Sequence, residues 1–426
     1  MIMFLLVLLV LFFAIGMPIA ISLGLASAAV VFMGDLSPLK LVPQQMFNAL
    51  NSFPLMAIPF FILAGNLMQK GGISQRLVKF ANNLVGHLTG GLAMVVIITS
   101  MFFAAISGSG AATTAAIGSI LIPAMVAKGY DVNFASANQA VSGALGVIIP
   151  PSIPLILYAI SAKQSVGDMF MAGVIPGVVI TSSLLISAYF ISKRNNYVGE
   201  PHRASIKEIG HSFLKSILAL MMPIIVLGGI YGGVFTPTEA AVVAVSYSFV
   251  VGVFVYKEIK WSELPKIFTD SSVTTAIVMI IISTAGLFSF VLNRLQVPTM
   301  VSEMFLNFST NVFVYLIIVN IFLLVVGMFM EAAAAILIFV PILLPVAISL
   351  GIDPIHFGVI MVVNLAIGLI TPPVGINLFV AMQISKVRIE AISKAIIPFV
   401  IILFVNVLII SFIPFLSTWL PSILSK

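Results

Sequence analysis

The sequence predicts an all-α protein that crosses a membrane many times and is built from two inverted-topology repeats. Each repeat carries a re-entrant helical hairpin and a proline-broken transmembrane helix. Composition is the first observation behind this. Hydrophobic residues make up 61% of the 426, charged residues 8%, and mean hydropathy is +1.25. A globular domain carries about 25% charge, and many runs here approach the roughly 20 apolar residues that span a bilayer. The second observation is a recurring irregular pattern. GVIIPPSIPL contains Gly146, Pro150 and Pro151, and GLITPPVGIN contains Gly368, Pro372 and Pro373, 222 positions later. At the same offset Pro123 matches Pro345, Gly129 matches Gly351, Asp131 matches Asp353 and Pro176 matches Pro398. The third is the placement of cations, which orients the two copies oppositely.

The elements follow in order. Met1 to Met33 carries no charge. It lacks a basic start and runs past the length of a signal peptide's apolar core, so it reads as mature membrane segment. It fits either one long tilted helix or two short segments hinged at Gly16 and Pro18. Gln75–His87 is short and amphipathic and reads as an interfacial arm. The stretch 90–127 is apolar but broken at Ser107-Gly-Ser-Gly110. It must enter and leave on one side if Arg76, Lys79 and Lys128 are all cytoplasmic, which makes it a hairpin. A broken helix over 133–160 then crosses outward and 168–192 returns, closing a first repeat over 1–192.

A polar linker over 193–215 holds Lys193, Arg194, Arg203, Lys207 and Lys215 against Glu200 and Glu208, and is placed in the cytoplasm. The second repeat covers 216–414. Segments 216–233, 237–256 and 271–292 cross in alternation, with Lys257, Lys260 and Lys266 returning to the cytoplasm. Pro298–Phe308 is a second arm. The stretch 312–348, broken near Gly327 to Glu331, forms a hairpin from the periplasmic side. A broken helix over 355–384 leads inward to Lys386, Arg388 and Lys394, 390–414 crosses outward, and 415–426 is an interfacial tail. The two hairpins therefore open to opposite sides.

Several function classes drop out. Cysteine is absent, which excludes disulfides, thiolate metal sites and thiol catalysis. No Gly-x-x-x-x-Gly-Lys-Ser/Thr loop exists, so the chain does not hydrolyse ATP. The net charge of +6 is spread over short loops, which reads as positive-inside topology and not as nucleic-acid binding. The Gly-Ser-Gly at 108–110 lacks the spacing of a nucleophile elbow, no intramembrane histidine partners it, and no cofactor or enzyme activity is expected.

The chemistry lies at the breaks. At Ser107-Gly108-Ser109-Gly110-Ala-Ala-Thr113-Thr114, small residues allow a tight turn while hydroxyls and freed carbonyls offer hard oxygen ligands. Those suit an alkali cation; the other reading is a small-residue packing seam. Pro150, Pro151 and Pro154 lack amide donors and leave carbonyls one turn back without partners. In hydrocarbon that costs several kcal/mol unless something replaces the bond. A bound sodium is such a replacement; a simple proline kink is the plainer account. The second half offers Gly327-Met-Phe-Met-Glu331 and Asn364, Gly368, Thr371, Pro372, Pro373, Gly375 and Asn377. An acid deep in apolar sequence is a functional candidate, and Glu331 either captures a cation or caps the helix after it. Glu239, in Thr236-Pro-Thr-Glu239, reads as a structural helix cap.

The order of these features resembles the large membrane subunit of tripartite ATP-independent periplasmic (TRAP) transporters over nearly the whole chain. The resemblance rests on the paired Pro-Pro segments together with Gly232-Gly-Val-Phe-Thr-Pro-Thr-Glu-Ala240. It implies sodium-driven import of an organic acid of the C4-dicarboxylate or sialic acid class, with a lean toward sialic acid, across the bacterial inner membrane. It further implies a small four-helix membrane subunit on a separate chain, a soluble periplasmic binding protein, and an elevator motion of hairpins and broken helices against a scaffold. Carried over by position, one sodium site lies at Ser107, Gly108 and Ser109 with Gly146 and Pro150. The other lies at Gly327 and Glu331 with Gly368, Thr371 and Pro372. Substrate sits near Thr113, Ser152, Thr371 and Asn377, held by helix N-termini and hydroxyls because no arginine is in reach.

Two rivals remain. A stand-alone divalent-anion/sodium symporter needs no binding protein. A channel needs a continuous polar stripe along several helices, whereas the polar residues here are confined to the breaks.

Overall fold

In the computed structural model, which describes residues 1–424 apart from the side chain of Phe308, the apolar runs are helices and no strand occurs among the described residues. The N-terminal run is two helices, α1 (Ile2–Ala14) and α2 (Ile19–Met33), separated where Gly16 takes φ +76° and Pro18 precedes the second helix. Next come α3 (Leu41–Leu50), a 3-10 turn at Phe53–Met56, α4 (Ala57–Lys70) and α5 (Ile73–Val85). The segment expected as the first hairpin holds α6 (Gly91–Ser107) and α7 (Gly110–Ala127). The first broken helix is α8 (Val132–Gly143), a single turn α9 (Leu145–Ile148) and α10 (Ile153–Ser161), followed by α11 (Val166–Arg194).

The second half opens with α12 (Ile206–Tyr231), then α13 (Pro237–Val250), which runs on into a π turn at Val251–Val255, and α14 (Leu264–Arg294). The arm α15 (Val297–Phe308) precedes α16 (Val312–Phe329) and α17 (Ala332–Ser349). The second break separates α18 (Pro354–Gly368) from α19 (Ile376–Ser385), and α20 (Ile389–Phe412) and α21 (Phe415–Leu424) close the chain. Of the tail expected over 415–426, the last two positions lie outside the described residues.

The linker differs from the sequence expectation. Where a polar loop is expected over 193–215, α11 runs on to Arg194 and α12 begins at Ile206. The cause is a capping box: the Glu208 amide donates to Ser205 Oγ at 3.3 Å, and the Ser205 amide donates to Glu208 Oε2 at 2.7 Å. A second capping box starts α13, with the Thr236 amide donating to Glu239 Oε2 at 2.8 Å.

A shift of 222 residues carries both ends of α7 onto the ends of α17, and Gly91–Ser107 nearly onto α16. The caps shift with them. Asp131 accepts from the Phe134 amide at 2.9 Å, and Asp353 accepts from the His356 amide at 2.9 Å. Each is the carboxylate start of a broken helix.

Packing sorts the helices into two groups. One gathers α2, α3, α4, α13 and α14, with α12 on its flank and α5 against α12. The other gathers α6 to α11 with α16 to α20, and the halves interlock there: α10 packs on α17, and α19 packs on α7 and α8. Ten helices or helix pairs among the described residues are long and apolar enough to cross a membrane. The broken stretch Val132–Ser161 is 89% buried along its apolar window, against 22% for α12. The proline-broken helix is therefore the centre of the molecule, and α12 is its apolar rim.

Candidate functional site

Each hairpin tip meets the break of its own half. At the first tip Gly108 turns the chain with φ +61°, a conformation that favours glycine. Ser109 then caps α7 by accepting from the Ala112 amide at 3.4 Å. The Gly108 carbonyl accepts from the Ile153 amide across the break at 3.4 Å. The second tip repeats this joint, with the Met328 carbonyl accepting from the Gly375 amide at 3.4 Å. The donors Ile153 and Gly375 are related by 222, while the acceptor is displaced by two residues, from Met330 to Met328. Both breaks contain a cis peptide, Pro150–Pro151 and Pro372–Pro373.

Glycine allows the close approach on both sides. A Cβ at Gly146 would collide with the Ser109 carbonyl and lie 2.7 Å from Thr113 Oγ1, and a Cβ at Gly368 would enter the backbone of Gly327. The structure thus brings Ser107, Gly108 and Ser109 onto Gly146 and the Pro150 turn, and Gly327 onto Gly368.

Two of the carbonyls freed by the prolines, Val147 and Leu369, find partners inside the protein. Ser152 Oγ donates to the Val147 carbonyl. The Asn377 amide donates to the Leu369 carbonyl at 3.0 Å, while Thr371 Oγ1 adds a bond at 2.7 Å to the Ile367 carbonyl, which already accepts from the Ile370 amide. Thr113 is fully buried, with Oγ1 2.9 Å from Ser107 Oγ and donating to the Ser109 carbonyl at 2.8 Å. Thr113, Ser152 and Thr371 therefore stand within the tip-and-break joints, and Pro372 lies in the second turn.

Between the joints lies a cavity of about 220 Å³. Ser107, Gly108, Ser109, Glu331 and Asn377 line it; Thr113, Ser152 and Thr371 do not. Four helices present their first turns to it: α7, α10, α17 and α19. The unpaired amides of a helix start carry about half a positive charge, so the pole facing this space is positive without any lysine or arginine in its lining. Glu331 sits at the N-cap of α17, yet its side chain takes none of that helix's amides. Asn377 donates from Nδ2 to the Ala140 carbonyl at 3.3 Å, and its buried Oδ1 has no hydrogen-bond partner.

The far wall belongs to the other helix group, and the sequence reading does not single it out. Asn66 and Gln69 of α4 and Thr274 and Val278 of α14 line the cavity. Ser271 Oγ donates to the Ile267 carbonyl at 2.7 Å, so it accepts from Asn66 Nδ2 at 2.8 Å. That bond fixes the amide and leaves its oxygen as an acceptor. The visible signal was two carboxamides three residues apart in an otherwise apolar helix. The 222-residue offset hides them, because Asn66 and Gln69 map onto Phe288 and Val291.

Comparison with known proteins decides the family. The model of the tripartite ATP-independent periplasmic transporter, DctM component, matches residues 6–416. The chain belongs to the DctM family of TRAP transporters. It is a large TRAP permease subunit and a multi-pass protein of the bacterial inner membrane. It is 45% identical to the isethionate TRAP transporter permease protein DctMQ of Oleidesulfovibrio alaskensis, over 95% of this chain but only 64% of that longer protein. It is 43% identical to the C4-dicarboxylate TRAP transporter large permease protein DctM of Pseudomonas aeruginosa, over 94% of each chain. Among solved structures, the YdaH transporter of Alcanivorax borkumensis shares the fold, with a TM-score of 0.66 at 12% identity over 88% of each chain. These TRAP relatives are transporter permeases.

Proposed function

We propose that this TRAP subunit imports a small organic acid by sodium-coupled, binding-protein-dependent transport, with the acid held in the cavity between the two hairpin tips. The observation that carries the reading is the convergence of four helix N-termini on one pocket. Such a pole holds a carboxylate or sulfonate by backbone dipoles, with no fixed cation to make release slow.

Sodium is the coupling ion in this reading. The first ion sits among Ser107, Ser109 and the Gly146–Pro150 turn, and the second among Gly327, Glu331 and the Gly368–Pro372 turn. Support comes from the hard-oxygen sets collected there: hydroxyls, carbonyls and one carboxylate. The two copies lie inverted in the membrane, and the group containing both hairpins slides against the α4–α14 wall as an elevator. Glycine-tight joints within the moving group support that division. The partners are a small four-helix membrane subunit and a soluble periplasmic binding protein, in keeping with the tripartite family.

Uptake into proteoliposomes tests the whole reading. The chain is reconstituted with and without the small subunit, the binding protein and an inward sodium gradient. A panel of N-acetylneuraminate, a C4-dicarboxylate and isethionate is offered as cargo. Accumulation of one acid that needs all three components is expected. Uptake at the same rate without sodium and without binding protein would sink the proposal and favour a stand-alone carrier.

A further inference from the structure

The cations that the sequence scatters over loops come together in the fold. On α5, Arg76, Lys79 and Asn83 stand at helical spacing on one face, and on α12 Lys207, His211 and Lys215 stand four apart on another. The two helices pack side by side. Asn83 Nδ2 donates to Ser212 Oγ at 3.0 Å, Ser216 Oγ donates to the Arg76 carbonyl at 2.9 Å, and the rings of Phe80 and Phe213 lie 5.7 Å apart. Along this seam run two adjoining clefts. One, of about 570 Å³, is lined by Lys79, Lys207, His211 and Leu214; the other, of about 240 Å³, shares Lys79 and adds Lys215.

The acids at these clefts are already engaged. Glu208 is held by the Ser205 amide and hydroxyl and by His202, and Glu258 pairs with Arg76 at 3.2 Å while that guanidinium lies 3.8 Å from the centre of the Tyr256 ring. Lys79, Lys207 and Lys215 are exposed and make no ion pair among the described residues. Beside them the lining turns apolar, with Leu214 66% exposed. An unpaired cationic cleft opening onto an exposed leucine, at the end of a membrane-crossing helix, has the two-part chemistry of a phospholipid.

We propose that the seam between α5 and α12 binds an anionic phospholipid, its headgroup phosphate between Lys79, Lys207 and Lys215 and its acyl chains running past Leu214 toward the membrane-crossing part of α12. Basic pockets at this depth are a recognised form of headgroup site. Only the choice of leaflet, the cytoplasmic one, rests on the orientation given above; the site itself does not depend on what the protein transports. A bound phosphate bridges the arm α5 to the scaffold flank α12, so the lipid fastens the arm on which the first hairpin is hung.

The test uses the purified full chain, delipidated in detergent and titrated with phosphatidylglycerol, phosphatidylethanolamine or inorganic phosphate. Retained lipid is counted by native mass spectrometry, and the melting temperature is followed in parallel. Phosphatidylglycerol is expected to bind and raise the melting temperature, while phosphatidylethanolamine and inorganic phosphate do neither. Each of Lys79→Gln, Lys207→Gln and Lys215→Gln is expected to weaken binding roughly fivefold, and the triple Lys→Arg variant to restore it. The arginine variant separates lost charge from lost folding. Equal retention of phosphatidylethanolamine, unchanged binding in the triple glutamine variant, or displacement of the lipid by millimolar phosphate overturns the proposal. The last result would mark a site for free phosphate.

Discussion

At the scale of residues, two acids in apolar sequence have opposite surroundings. Glu239 accepts from the amide and hydroxyl of Thr236 and is a working cap, whereas Glu331 occupies a cap position and bonds to none of the amides behind it. A carboxylate left unspent at a cavity wall is available to an ion or a cargo molecule. Glu331→Gln should leave the melting temperature where it is and lower sodium-dependent uptake at least tenfold. Thr236→Ala should do the reverse, costing about 1 kcal/mol of stability through the lost cap with the KM for transport unchanged. Thermal melting and initial-rate uptake on the two variants check this; matched behaviour of the pair would show that Glu331 is structural. The sequence could place both acids at helix starts, because Thr-Pro-Thr-Glu is a local signature. It could not show that Glu331 leaves its own helix unbonded, since that depends on what surrounds the tip.

At the scale of elements, the second hairpin is held differently from the first. α6 and α7 pack on each other, while α16 leans chiefly on α18. A buried polar network makes that attachment. Asn364 Nδ2 donates to Asn320 Oδ1 at 2.8 Å, and Asn320 Nδ2 donates to Ser411 Oγ at 3.0 Å, so α18, α16 and α20 are tied in series. Removing Asn320 strands an N–H of Asn364 in the interior, which costs about 1–3 kcal/mol, whereas without Asn364 the Asn320 Oδ1 still accepts from Ser411 Oγ at 3.3 Å. Asn320→Ala should cost that much, Asn364→Ala less, and the double variant clearly less than their sum. Chemical denaturation of the four proteins in the cycle measures the coupling; simple additivity would mean the two amides act independently. Helix ends were legible here wherever a capping residue or a glycine marks them, as at Asp131 and Asp353. The start of α12 was not, because its polar first turns read as loop until Ser205 and Glu208 are seen as a pair.

At the scale of the whole molecule, the cavity is closed by two bodies of different kind. The hairpin-and-break group supplies four helix N-termini, and α4 and α14 supply a wall with a fixed amide at Asn66. The repeat made the first body legible, since everything in it is written twice. The same offset carries α4 onto 279–292 of α14, but the wall's polar residues do not recur, since Asn66 and Gln69 fall on Phe288 and Val291. The wall's contact with the first tip is close: a Cβ at Gly65 would lie 3.4 Å from the Cα of Ser107. The chain has no cysteine of its own, so a cysteine pair placed across α4 and α6 beside this contact is a clean probe of relative motion. Oxidising the pair should arrest uptake and reduction should restore it, with melting unchanged. Full uptake by the oxidised protein would mean that the two bodies do not slide.

The joint between each tip and its break is a single bond from one backbone amide to one backbone carbonyl, at Ile153 with Gly108 and at Gly375 with Met328. No side chain takes part, so the fastening does not depend on which residues stand there, provided that the donor is not proline. Isoleucine serves as donor in one half and glycine in the other. Sequence around the tips is thereby released to diverge: Ser107-Gly-Ser-Gly110 and Met328-Phe-Met-Glu331 can be tuned separately, one toward hydroxyls and the other toward a carboxylate. Two backbone joints can thus hold tips of different chemistry.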